Sequence, residues 1–187
     1  MTNHIYQKYN LWHWELWNTS IINRKKPLLR ELANLKLDGI TPNKQDVVMN
    51  VITEVGLEEY GKRNLIQSKG GSLSKNTHCV VGTGTRIESP SDESLQNEIG
   101  RKLITDMGSV SGNEQYVTSW QSDEVSVTDP IVTEAGIYSN QWTQDGTTYD
   151  PILMLRTTTT STFTIAVDNT LTITITSITS NGTHTNN

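Results

Sequence analysis

From about residue 101 onward, apolar and polar positions alternate with the period of two that a strand with one buried face requires. Leu171, Ile173 and Ile175 interleave with Thr170, Thr172, Thr174 and Thr176, and β-branched side chains suit a pleated, half-buried surface. The alternation predicts strands over 102–107, 116–127, 131–138, 152–158, 162–167 and 170–178, with further strands at 46–53 and 77–82. Breaks fall at Ser111-Gly112-Asn113, Asp129-Pro130, Asp145-Gly146 and Asp168-Asn169, all turn-forming residues. Asp168-Asn169 between two alternating runs predicts a two-residue hairpin. Helical spacing appears earlier in the chain. Leu28, Leu29, Leu32, Leu35 and Leu37 predict a helix over 24–37, with Pro27 in its first turn and Gly39 at its end. Thr53 can cap a second helix over 54–66, and Ser91 or Asp92 a single turn over 93–98. The expected fold is therefore mainly β, an antiparallel β-sandwich with one or two short helices and an extended N-terminal arm.

The chain divides near Thr41-Pro42-Asn43, which predicts an aromatic-rich arm with a short helix (1–41), a β-sandwich (42–180) and a flexible polar tail (181–187). The arm carries Tyr6, Tyr9, Trp12, Trp14 and Trp17. Trp12, Trp14 and Leu16 share one parity while His13, Glu15 and Trp17 share the other, so the segment reads as extended, although a helix with a Tyr9/Trp12/Leu16 face also fits. Two roles are open for it. The aromatics can dock on their own domain and complete its core, or they can anchor the chain on another subunit, where Trp and Tyr dominate binding energy.

Composition removes most chemical readings. A single cysteine, Cys79, excludes an internal disulfide and a cysteine-based zinc site, and is expected to pack as a small hydrophobe. No run approaches the roughly 20 apolar residues that span a bilayer, and no basic-then-apolar signal opens the chain, so cytosolic synthesis and retention are expected. Residues 1–75 hold 11 Lys/Arg against 7 Asp/Glu, while 76–187 hold 4 against 13. So acidic a body argues against nucleic-acid binding by the globular part.

The Gly82-Thr83-Gly84-Thr85 stretch follows a strand but precedes no helix with a Lys-Ser/Thr pair, so it is no phosphate loop; glycines supplying unusual φ values in a turn are the expected role. Glu93, Glu98 and Glu134 are candidate carboxylates for glycoside chemistry, but structural ion pairs are the commoner use of such residues. Asp145 and Asp150 flank a turn without the calcium-loop spacing. No cofactor and no metal site are expected.

One ordered set of short motifs remains: Gly82 to Thr85; Leu95, Asn97, Glu98 and Arg101; Thr133, Glu134, Gly136, Ile137 and Tyr138; Leu155 with Arg156; and upstream Val51-Ile52-Thr53 with Gly56. Taken together, residues 47–178 resemble a domain recurrent in tail-fibre, tail-collar and related structural proteins of tailed phages and archaeal tailed viruses. Gly100, where that family is usually bulkier, and the 139–150 excursion bearing Trp142 depart from it.

The resemblance implies a non-enzymatic virion protein, made in the host cytoplasm and carried in the virion. It would be a neck, tail or baseplate adaptor or a virion-proximal fibre component, assembling as a homo-oligomer with other virion proteins through its N-terminal arm. The alternatives are a host-receptor module stacking glycans on Trp142 and Tyr149, or a capsid decoration protein. For the motif residues themselves, an Arg–Glu network of Glu98, Arg101, Glu134 and Arg156 would hold the irregular 83–101 segment against the sheet.

Overall fold

The computed structural model describes residues 4–22, 28–54, 56, 76–104, 106–110, 113–139, 142–144 and 147–183. Its first element, β1 (His4–Asn18), is extended, and its two parities have different destinations. Trp12, Trp14 and Leu16 face the interior, together with Leu171, Ile173 and Ile175 of β12 (Asn169–Thr183). Trp17 faces the other way and packs with Leu28 and Leu32 of α1 (Leu28–Leu37). One strand thus serves two apolar clusters, which is why its sequence is aromatic on both parities.

Two five-stranded antiparallel sheets pack face to face. The first has the order β2 (Lys44–Met49), β1, β12, β7 (Asn113–Trp120), β6 (Asp106–Val110). The second runs β3 (Val51–Ile52), β11 (Leu153–Thr164), β8 (Ile131–Ser139), β4 (Asn76–Gly82), β5 (Glu98–Leu103). β9 (Trp142–Gln144) and β10 (Thr147–Tyr149) form a separate two-stranded ribbon. The core between the sheets holds Trp12, Trp14, Trp120, Cys79, Val81, Ala135, Ile137, Leu155, Phe163 and Ile165. Trp14 stacks on Phe163 of the opposite sheet at 5.7 Å between ring centroids. The antiparallel β-sandwich expected from the alternation is the fold observed.

Several local expectations change. Residues 152–158 and 162–167 do not form two strands. β11 runs unbroken through this region, with a register shift between Thr158 and Phe163 where it leaves β8's regular pairing. Within that shift it is tied to β2, the edge of the other sheet, through Lys44 Nζ donating to the Thr162 carbonyl at 2.6 Å and through the Thr159–Asp46 hydrogen bond, and Phe163 and Thr164 then pair with β8 again. Asp168-Asn169 is consequently not a hairpin turn. β11 pairs with β8 and β3, while β12 pairs with β1 and β7, so this turn carries the chain from one sheet to the other.

No helical turn occupies 93–98. The segment 83–97 is irregular, and Glu98 already begins β5. β12 continues to Thr183, with Asn181, Gly182 and Thr183 opposite Tyr6, Ile5 and His4, so part of the polar tail is paired strand. The helix expected over 54–66 lies outside the described residues apart from Glu54 and Gly56.

α1 lies across the outer face of the first sheet. Asp106 of β6 accepts from the Leu29 amide at 2.7 Å, satisfying one of the free donors at the helix start. Gly39, at φ 74°, closes the helix with the Ile40 amide donating to Leu35 and the Gly39 amide to Lys36. Lys36 reaches Glu15 of β1 at 2.5 Å, fastening the last turn to the sheet.

Candidate functional site: a buried ion cluster beneath the 83–97 loop

Strand β8 is buried on both faces over nearly its whole length. Its inward residues, Ala135 and Ile137, meet the core. Its outward residues, Glu134, Gly136 and Tyr138, lie under the irregular 83–97 segment, where Val80, Leu95, Tyr138 and Leu153 form a small apolar cluster. Pairing β8 with β11 sets Thr158 opposite Glu134 and Arg156 opposite Gly136. Glu134 and Arg156 therefore sit diagonally on one face, within reach of each other.

Both side chains have zero exposure, and they are joined at 2.8 Å between Arg156 Nη2 and Glu134 Oε2. Glu134 also takes three backbone amides from the overlying segment. Gly84 and Asn97 donate to Oε1 at 3.0 and 2.8 Å, and Gln96 donates to Oε2 at 3.0 Å. Arg156 spreads its remaining donors over the same segment, Nη1 to Asp92 Oδ2 at 2.5 Å and Nη2 to the Arg86 carbonyl at 3.0 Å. Asp92 in turn accepts from the Ser89 amide at 2.8 Å and pairs with Arg86 at 2.6 Å. Thr133 adds its hydroxyl to the Gly84 carbonyl at 2.8 Å.

Burial by itself would raise the Asp92 carboxyl. The Ser89 amide and the Arg156 and Arg86 guanidiniums outweigh that effect and hold it below the usual carboxylate range. Burial likewise opposes the charge on Arg156, and the Glu134 and Asp92 carboxylates overcome it and raise the guanidinium above its ordinary value. The chemistry of the arrangement is that of a fastening. Each carboxylate and the guanidinium is engaged, and the groups they hold are the backbone of one loop.

This packing explains the Gly82-Thr83-Gly84 motif differently from the φ argument. Gly39 is the one glycine with positive φ among the described residues. A Cβ built on Gly82 would stand 2.6 Å from Glu134 Oε1, and one on Gly84 2.6 Å from Glu134 Cδ. Glycine is required there because a carboxylate lies against the backbone.

Of the four residues expected to form one network, the structure brings Glu134 and Arg156 together and leaves Glu98 and Arg101 outside. The latter two pair with each other on β5, Arg101 Nε and Nη2 donating to the two Glu98 carboxylate oxygens at 2.8 and 2.7 Å. The Arg101 guanidinium lies 4.0 Å from the centre of the Tyr138 ring. The missing member is Asp92, with Arg86 behind it. Its signal was partial: an arginine within Leu153-Met154-Leu155-Arg156 on a buried strand carries more donors than one carboxylate can accept, which calls for further acceptors and leaves open whether they are acids or backbone carbonyls; here they are Asp92 and the Arg86 carbonyl.

The other candidates fall elsewhere. Trp12, Trp14 and Trp17 have zero exposure, which removes their side chains from any anchoring contact and assigns them to the protein's own core. Tyr6 and Tyr9 lie in β1, opposite Asn181 and Ile178, and their side chains are outside the described set. Trp142 and Tyr149 are directly opposite in the register of the β9–β10 ribbon, and their side chains too lie outside it. Cys79 is fully buried, and burial pushes its thiol up to about 11. Burial also lowers His13 and His78 below the ordinary histidine value. Compared with protein-family models, with curated proteins and with solved structures, the chain matches none.

Proposed function

We propose that the chain is a non-enzymatic structural component of a tailed-virus particle, a neck, tail or baseplate adaptor or a virion-proximal fibre part. The observation that supports this reading is the destination of the motif residues. Gly82, Gly84, Glu134 and Arg156 all go into fixing one loop on the outer face of a sheet, with their reactive atoms sealed from solvent. A shared motif spent on holding backbone in place suits a module whose task is shape. The attachment surface in this reading is not the tryptophan face of β1, which is used internally. Cryo-electron microscopy of purified particles tests the proposal by giving the chain's position, copy number and neighbours. Absence of the chain from particles would sink it, as would turnover of a substrate abolished by a variant that leaves fold and assembly intact.

A second reading, recognition of a host-surface glycan, rests on the ribbon outside the two sheets, whose register sets Trp142 opposite Tyr149. Paired aromatics suit sugar faces. Binding to host cells or arrayed glycans that disappears in Trp142→Ala would favour it over the adaptor role.

A further inference from the structure

Each sheet of an open sandwich ends in strands with unpaired backbone groups, and stable proteins blunt such edges. Three of the four edges here are visibly blunted. β3 is two residues long, and the chain leaving it is held by the Glu54 amide donating to the Pro90 carbonyl at 2.7 Å. β2 carries Lys44 and Asp46, both bonded to β11, and the Met49 carbonyl accepts from the Thr157 hydroxyl at 3.2 Å. β5 carries Arg101 and Lys102, the Ser126 amide covers the Ile99 carbonyl at 2.8 Å, and Lys102 is pinned to Glu124 at 2.8 Å.

The fourth edge, β6, has none of these devices among the described residues. Its sequence Asp106-Met107-Gly108-Ser109-Val110 contains no lysine, no arginine and no proline, and its one charge is turned to the start of α1. Among the described residues, β7 is its one partner in the sheet. Apolar side chains flank it on both faces. Met107 is 62 % exposed, and Leu29 of α1 stands over Gly108, its Cδ1 3.0 Å from where a Cβ would be.

We infer that β6 is a self-pairing edge, joining a second copy of this chain in antiparallel register about Gly108 to make one continuous ten-stranded sheet. Charge and symmetry name the occupant. About a two-fold axis through Gly108, Asp106 falls opposite Val110 of the second copy and Met107 opposite its Ser109, so no like charges meet. At the axis the strands approach without a side chain, and the two Leu29 residues come together over the paired glycines, prolonging the Trp17–Leu28–Leu32–Val117 cluster across the join. This contact is independent of any role in a particle.

The test uses the full chain in sedimentation equilibrium over a wide concentration range, beside Met107→Lys and Ser109→Lys, both at exposed positions. Circular dichroism establishes that the variants fold. The expected result is a concentration-dependent dimer in the parent chain, shifted at least tenfold toward monomer by either lysine, with amide exchange at 107–110 slowing as the dimer forms. A parent that stays monomeric throughout, or a dimer indifferent to both lysines, overturns the inference.

Discussion

At the scale of single residues, the side chains of Glu134, Arg156 and Asp92 are fully or almost fully buried, so removing Glu134 takes one of the two counter-charges from Arg156 and leaves the Gly84, Gln96 and Asn97 amides without their acceptor. Breaking a buried pair from one side typically costs about 3–5 kcal/mol, whereas replacing both partners by apolar groups can be near neutral. Glu134→Ala is therefore expected to lower stability by about that amount in urea unfolding, and Glu134→Met with Arg156→Met by much less than the sum of the two singles. Gly84→Ala places a methyl group 2.6 Å from Gln96 Cβ. Overpacking of this kind costs about 1–3 kcal/mol, and the same unfolding experiment checks it.

Asp92 also sets a pH response. Its folded pKa lies below the unfolded value of about 3.9, so its contribution is complete above that value and disappears as pH falls through it toward the folded one. Melting temperature of the parent chain should fall more steeply than that of Asp92→Asn below about pH 4. Parallel curves would show that Asp92 is not the group concerned.

At the scale of elements, β1 is the strand on which the first sheet depends. It lies between β2 and β12, and its three tryptophans are fully buried. Burying each of these removes roughly 150–250 Å² from water, roughly 4–6 kcal/mol apiece by area. The Nε1 groups of Trp12 and Trp14 have no hydrogen-bond partner among the described residues, a cost the apolar gain exceeds. Deleting residues 1–18 should therefore unfold the body, read as lost near-ultraviolet dichroism and rapid proteolysis. An N-terminal arm that merely docked elsewhere would leave a folded remainder.

At the scale of the whole molecule, the core closed between the two packed sheets is accessible only by large-scale opening. Cys79 sits in the centre of the core, and its thiol is pushed up to about 11. Alkylation at pH 8 is expected to be slow and to follow the global unfolding equilibrium as urea is added. Labelling that is rapid in the native protein would place a local opening near β4.

Sequence alone determined the strand-rich class, the position of α1 and its glycine stop, and the inward parity of β12. These rest on periodicity and local capping, which act over a few residues. It also marked Glu134 and Arg156, since charges inside buried strand patterns demand partners. Tertiary structure decided what depends on contacts between distant segments. It decided which sheet each strand joins, so that Asp168-Asn169 crosses between sheets. It brought Asp92, 64 positions away, to Arg156. It gave the tryptophans of β1 to the protein's own core and left β6 as a sheet edge with no cover among the described residues. Alternation specifies that a strand has an inside and an outside; only the packed sheets specify what stands on each side.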